Sequence, residues 1–135
     1  MLRRDAFRLP RHPASVSGAR RRVQDHLTAW GHKADDEITE ETVLVVSELA
    51  ANVVRHGPVL EREFEIAVTV LADDSCFVEV SDDSPAPPVP QTLRSWEQES
   101  GRGLRLVDAL ARTWGVHHRG RDGKTVWALV TSGHP

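Results

Sequence analysis

Three polar side chains, Ser47, Glu48 and Asn52, interrupt the apolar stretch between Val43 and Val54, and Glu48 and Asn52 are four residues apart. Residues four apart lie one above the other on one face of a helix, so these two side chains share a face. Burying a carboxylate and a carboxamide without partners costs several kcal/mol. The spacing leaves two explanations open. The face looks into a polar pocket, or Glu48 caps a loop while Asn52 bonds a neighbouring backbone.

A metal site is one chemistry that this face could support. His56 follows Asn52 by four residues, so Glu48, Asn52 and His56 form a possible ligand set. The set is poor for zinc, because it contains one histidine and no thiolate. A hard ion held by the Asn52 oxygen and by phosphate oxygens fits better, since magnesium favours oxygen ligands. His117 and His118 have no ligand pattern and are expected to be exposed at a strand end.

Two further positions could contact a ligand. Asp82 is in phase with the valines of its strand and ends it, so it could accept a hydrogen bond from a ligand's amino group. It could equally be a turn-forming aspartate. The sequence Gly101-Arg102-Gly103 stands at a helix start, where backbone N–H groups bind anions, although a flexible hinge looks the same. No GxxxxGK[ST] motif is present, which excludes a P-loop protein.

Hydrophobic periodicity predicts the elements that position these residues. They are an edge strand or arm at 3–11, helices at 14–30, 37–56 and 101–112, and strands at 64–70, 76–82, 113–118 and 124–131. A loop with four prolines, residues 83–100, is predicted to be a functional lid. Antiparallel hairpins with helices predict an α+β fold: a two-layer sandwich of a mixed, mostly antiparallel sheet with three helices on one face.

Composition narrows the class of protein. A chain of 135 residues predicts a single domain, residues 1–135, and 39% hydrophobic with 27% charged residues is typical of a soluble one. No stretch is apolar enough to cross a bilayer, and we expect no secretory signal. The lone Cys76, predicted to lie inert in the core, suits a reducing cytoplasm. A net charge of −3 argues against general nucleic-acid binding.

Taken in order, these segments resemble one protein family. The sequence VVSELAANVVRHG (45–57) resembles the N box of the histidine-kinase-like (GHKL, or Bergerat) ATPase fold. VSDDSP (80–85) is similar to its first glycine box, and GRGLRLV (101–107) to its second. WGV (114–116) and GKTVW (123–127) resemble the closing strands of the anti-sigma-factor serine/threonine kinase branch. The resemblance covers roughly residues 7–131, nearly the whole chain.

The resemblance implies an ATP site and assigns roles to individual residues. Asn52 would hold the magnesium ion that bridges the phosphates, and Glu48 would be the general base. Asp82 would accept from the adenine amino group, with Thr125 helping at the ring. The expected nucleotide and cofactor contacts are Asn52, Asp82, Ser84, Gly101, Arg102, Gly103, Leu104 and Thr125. Residues 101–104, at the start of the third predicted helix, would present backbone N–H groups to the phosphates.

The resemblance also implies a function. It indicates a cytoplasmic ATP-dependent protein kinase that phosphorylates a serine or threonine on a STAS-like anti-anti-sigma protein. The same protein would sequester a sigma factor by a surface near the first and third helices, and members of this branch usually pair as homodimers.

Two alternatives belong to other classes. The first is a non-catalytic, partner-binding regulator with weak or no ATP use, favoured by Asp83 and Ser84, which stand where fuller family members carry glycines. The second is nucleic-acid binding through Arg20-Arg21-Arg22, a run that is more simply explained as a solvated helix face.

Overall fold

Five strands and three helices make up the part of the chain that the structure, a computed structural model, describes: residues 3–56, 63–82, 101–118 and 123–131. In chain order the elements are β1 (Arg3–Pro10), α1 (Ala14–Ala29), α2 (Glu37–His56), β2 (Glu63–Val70), β3 (Cys76–Asp82), α3 (Gly101–Leu110), β4 (Thr113–His118) and β5 (Lys124–Val130). The first segment, predicted as a strand or an arm, is therefore a strand.

The strands form one sheet in the order β1-β2-β3-β5-β4. All pairings between the described strands are antiparallel, whereas the sequence predicted a mixed, mostly antiparallel sheet. The reason is the position of the last hairpin. β4 runs parallel to β3, but β5 lies between them and pairs with both, so no parallel neighbours arise.

One hydrophobic core joins the three helices to one face of the sheet. Alternate strand residues point into it, as the period of two predicts. They include Ile66, Val68, Val78, Val80, Val126 and Ala128. The helix α2 packs against α1, α3, β3 and β5, which is why nearly its whole circumference is apolar. The fold is thus the α+β sandwich that the sequence predicted.

The helix ends differ slightly from the predicted ones. α3 was expected to reach residue 112 but ends at Leu110. The reason is that the N–H of Arg112 donates to the carbonyl of Leu129 on β5 (2.8 Å) and so already belongs to the sheet. α1 ends one residue before Trp30, and Gly31 follows with a φ of 100°, a conformation that glycine adopts without strain.

The opposite face of the sheet carries no helix among the described elements, and aromatic side chains cover part of it. The rings of Phe77 and Trp127 lie 5.9 Å apart, centroid to centroid. Trp127 also lies directly over Gly115 on β4, where a Cβ atom would come within 2.8 Å of the indole. Of the helices that the structure describes, none is long and apolar enough to cross a membrane.

Candidate functional site

Asn52 is the most informative residue of the site. Its side chain lies on α2 and is buried, with 5% of the residue exposed. Neither the nitrogen nor the oxygen of its carboxamide has a hydrogen-bond partner among the described residues. The explanation that Asn52 bonds a neighbouring backbone is therefore wrong. Buried polar groups are nearly always hydrogen-bonded, so this carboxamide indicates a position that a ligand completes.

Glu48 lies one helical turn before Asn52 and is only half-buried. A side chain at this position shares the face of Asn52 and keeps contact with solvent. Glu48 and Asn52 therefore lie on the same face of α2, with Asn52 buried and Glu48 partly exposed to solvent. The partial exposure of Glu48 would let it contact the side chain of a second protein.

The direction of α2 places this face near the end of β3. Thr42, in the first half of the helix, contacts Cys76 at the start of the strand. Asn52 comes ten residues later, about 15 Å along a helix. Asp82 comes six residues after Cys76, about 20 Å along a strand. Since α2 packs on β3, the carboxamide of Asn52 and the strand end that carries Asp82 belong to the same end of the molecule.

Asp82 is buried rather than exposed in a turn. Its carboxylate forms an ion pair with the guanidinium of Arg11, and the two side chains are 6% and 2% exposed. The phase of Asp82 with the valines correctly predicted that it faces inward. Arg11 could not be identified from the sequence, because it is one of fifteen arginines and ends a segment predicted only as an edge strand or arm.

Lys124 completes a cluster with these two residues. It lies opposite Asp82 in the pairing of β3 with β5. Burial, and after it the nearby charge of Arg11, lower the pKa of Lys124 from 10.5 to about 8. We call Arg11, Asp82 and Lys124 the Asp82 cluster. Two cations therefore surround the carboxylate that was predicted to recognise the ligand.

Thr125 and Asp82, which were predicted to contact the same ligand, lie on opposite faces of the sheet. Its hydroxyl lies 2.8 Å from the hydroxyl of Ser81, with which it pairs across β3 and β5. Side chains of successive strand residues alternate between faces, so Thr125 and Asp82 point to opposite sides of the sheet. The structure does not bring the Thr125 hydroxyl to the Asp82 carboxylate, and a role for Thr125 at the ligand stays a prediction.

The predicted phosphate-binding segment begins a helix, as expected. α3 starts at Gly101, and the N–H groups of a first helical turn have no acceptor within the helix. Leu104 anchors this turn in the core, and α3 packs against α2. The helix start and the helix that carries Asn52 are therefore neighbours. Ser84 and the predicted lid, residues 83–100, lie outside the described residues.

The remaining candidates give no second site among the described residues. No group of three or more His, Cys, Asp or Glu side chains there comes together as a metal site. His117 and His118 are exposed at the end of β4, as predicted. Burial raises the pKa of the Cys76 thiol, which is fully enclosed in the core. The Cζ atom of Arg22 lies 4.3 Å from the centroid of the Phe7 ring, so at least one arginine of the run Arg20-Arg21-Arg22 makes a contact within the fold.

Comparison with known proteins gives a family and a fold. The family model described as "Histidine kinase-like ATPase domain" matches residues 9–130. Among solved structures, the chain is similar to the RsbU and RsbW domains of Rv1364c from Mycobacterium tuberculosis, with a TM-score of 0.73 and 18% identity. That match covers 98% of this chain and 33% of the other, so the chain spans about a third of that protein's length.

A second similar structure is the SiaB–SiaC complex from Pseudomonas aeruginosa. Its TM-score is 0.65 with 15% identity, and the match covers 93% of this chain and 88% of that one. Among curated proteins, none matches the sequence significantly. At these identities the structural matches support the fold alone.

Proposed function

The chain belongs to the histidine kinase-like ATPase domain family, and on that premise we propose that it is an ATP-dependent protein serine/threonine kinase of the anti-sigma-factor type. Its substrate is a serine or threonine on a small STAS-like anti-anti-sigma protein. A sigma factor binds when that partner does not, at a surface near α1 and α3. Residues 1–135 form one domain, which acts in the cytoplasm and pairs with a second copy.

The observation that carries the proposal is the unpartnered carboxamide of Asn52. Its oxygen is a hard ligand of the kind that magnesium takes, and its burial prevents water from satisfying it. The site therefore fits the family's cofactor, and Asn52 is the residue that would hold the ion. Bound magnesium–ATP supplies the γ-phosphoryl group together with the cation that neutralises its charge.

The protein's own residues supply positioning and proton transfer. Glu48, half-buried one turn from Asn52, takes the proton from the substrate hydroxyl as general base. Asp82 accepts a hydrogen bond from the amino group of adenine. The backbone N–H groups of residues 101–104 hold the phosphates at the start of α3, where the helix dipole favours negative charge.

A protein partner is consistent with the similar structures. The Pseudomonas structure is a complex of SiaB with a second protein, SiaC, and the mycobacterial structure joins RsbW and RsbU domains. These assemblies are properties of those proteins. They support a protein, rather than a small molecule, as the phosphate acceptor proposed for this chain.

The test is a Glu48→Gln variant, with Glu37→Gln as its control. Glu37 lies eleven residues earlier, which is three helical turns, so it shares the face of Glu48 but is exposed at the helix start. We expect Glu48→Gln to lose about a hundredfold or more of phosphate transfer from ATP to a purified STAS-domain protein. A fluorescent ATP analogue should bind it as it binds the wild type, and Glu37→Gln should keep both activities.

Full phosphate transfer by Glu48→Gln would remove Glu48 from the chemistry and leave the kinase in place. A wild-type protein that binds ATP but phosphorylates no member of a panel of STAS-domain proteins would contradict the kinase. That result would favour the partner-binding regulator.

A further inference from the structure

The buried ion pair between Arg11 and Asp82 is the feature that the proposed function does not use. The side chain of Arg11 is 2% exposed, so its guanidinium is removed from water almost completely. A buried charge is tolerated only when a counter-charge and hydrogen bonds compensate its lost hydration. Arg11 and Asp82 therefore depend on each other in a way that exposed surface pairs do not.

Arg11 is held in place by its local backbone. It lies between the eight-residue strand β1 and the sixteen-residue helix α1. The turn that follows is closed by three hydrogen bonds. The N–H of His12 donates to the carbonyl of Pro10 (2.8 Å), that of Ala14 to Nδ1 of His12 (3.0 Å), and that of Ser15 to the carbonyl of His12 (2.8 Å). These hydrogen bonds hold the backbone next to Arg11 in one conformation, so Arg11 keeps a defined position relative to Asp82.

The two cations near Asp82 differ in how their charge depends on pH. Lys124 faces it from β5, but its pKa of about 8 means that its charge falls in mildly alkaline solution. The guanidinium of Arg11 stays charged at any physiological pH. Among the described residues, Glu63 on β2 and His118 on β4 also lie near this strand end, and both are exposed. Arg11 is therefore the permanent counter-charge of Asp82.

A permanent counter-charge decides what the carboxylate can recognise. An ionised carboxylate only accepts hydrogen bonds, whereas a protonated one also donates. A neighbouring cation favours the ionised form, and a buried carboxyl group without one takes up a proton more readily. An acceptor-only group binds the 6-amino group of adenine and repels the 6-oxo group of hypoxanthine.

We propose that Arg11 is a positioning residue of the nucleotide site, which sets its preference for a 6-aminopurine over a 6-oxopurine by holding Asp82 ionised and oriented. The inference rests on the proposed function, in which Asp82 meets the base. It also explains why Asp82→Asn alone is an ambiguous probe, since that change removes both the base acceptor and the charge that the buried Arg11 faces.

The test compares three variants with the wild type. Arg11→Met removes the charge but keeps an unbranched stem, and Arg11→Lys restores a charge without the planar fork of the guanidinium. Arg8→Met is the matched control. Arg8 lies on the same strand and pairs with Glu63 (3.4 Å) and Glu65 (3.9 Å), but it is exposed.

The measurement is the dissociation constant of magnesium–ATP and of magnesium–ITP, which differ at the base alone, at pH 7. We expect the wild type and Arg8→Met to prefer ATP by about tenfold or more, because a site built to accept from an amino group rejects the analogue that lacks it. In Arg11→Met we expect ATP binding to weaken about tenfold and ITP binding to weaken less, so the preference falls. Arg11→Lys should lie between these two.

Three outcomes would overturn the inference. Equal weakening of both nucleotides in Arg11→Met would mean a purely structural role, and tighter ATP binding would mean that Arg11 obstructs the base; both leave the kinase proposal intact. A wild type that binds neither nucleotide would overturn the proposed function and this inference with it. If circular dichroism shows that Arg11→Met does not fold, Arg11→Gln, which keeps a polar amide, carries the same expectation.

Discussion

At the scale of single residues, two buried polar side chains define the site in opposite ways. The guanidinium of Arg11 is engaged by a carboxylate inside the protein. The carboxamide of Asn52 has no partner among the described residues. Arg11 thus meets its counter-charge inside the protein, whereas the carboxamide of Asn52 keeps its hydrogen-bonding capacity for something that binds.

This state of Asn52 predicts a conflict between stability and binding. Leucine has the same branching as asparagine without its polar atoms, so Asn52→Leu removes an unsatisfied buried amide. We expect the free energy of unfolding of the protein without nucleotide to rise by about 1–2 kcal/mol. We expect magnesium-dependent nucleotide binding to disappear. Urea unfolding monitored by tryptophan fluorescence and an ATP titration measure the two effects.

The companion variant is Asn52→Ala, which also removes the carboxamide but leaves a cavity. It should be less stable than Asn52→Leu and equally unable to bind magnesium–ATP. If Asn52→Leu proves less stable than the wild type by more than about 1 kcal/mol, the carboxamide makes a stabilising contact in the folded protein. The argument from its missing partner then fails.

At the scale of elements, the last hairpin depends on close contact between β4 and β5. A Cβ atom on Gly115 would lie 2.8 Å from Cζ2 and 3.0 Å from Cε2 of Trp127. Because the indole ring also packs on Phe77, it cannot yield freely. We expect Gly115→Ala to lower the free energy of unfolding by about 1–3 kcal/mol, in spite of the better strand propensity of alanine.

Gly18→Ala is the matched control for this prediction. Gly18 lies inside α1, and nothing comes within 4 Å of a Cβ atom placed there. The same substitution should therefore raise stability by about 0.5–1 kcal/mol, because alanine loses less conformational freedom in a helix. Chemical denaturation of both variants measures whether the free energy of unfolding falls for Gly115→Ala and rises for Gly18→Ala. Equal effects at the two glycines would show that the indole moves aside at little cost.

At the scale of the whole molecule, Lys124 links stability to pH. Its pKa in the folded protein is lowered from 10.5 to about 8, mainly by burial and then by the charge of Arg11. Between these values the unfolded chain binds a proton that the folded chain does not. The contribution of Lys124 to the free energy of unfolding therefore rises as the pH rises from about 8 toward 10.5. Below pH 8 the burial of its charge works fully against folding.

The measurement is the free energy of unfolding of the wild type and of Lys124→Met at pH 7, 8 and 9. The stability advantage of the methionine variant should be largest at pH 7 and should shrink as the pH rises. Lys33→Met, which removes the other lysine of the chain at an exposed position, is the control. A constant difference for Lys124→Met would mean that Lys124 titrates normally.

Much of this molecule could be predicted from local pattern. The period of two along β2 and β3 identified which side chains face the core, including Asp82, because alternation follows from strand geometry alone. The nearly continuous apolar stretch of α2 predicted a helix covered on most sides, and α2 does pack against two helices and the sheet. The spacing of Glu48 and Asn52 placed them on one face for the same geometric reason.

Other features required the chain to fold back on itself. The position of β5 between β3 and β4, the Ser81–Thr125 hydroxyl pair and the Arg11–Asp82 ion pair each join segments that lie far apart in sequence. Local hydrophobic periodicity does not reveal contacts between distant segments, and residue type alone does not distinguish a buried arginine from an exposed one. The sequence by itself determined the elements, the inward phase of Asp82 and the family. Only the tertiary structure decided which cations lie beside Asp82 and that the Asn52 carboxamide has no hydrogen-bond partner among the described residues, because burial and partners are properties of packed segments.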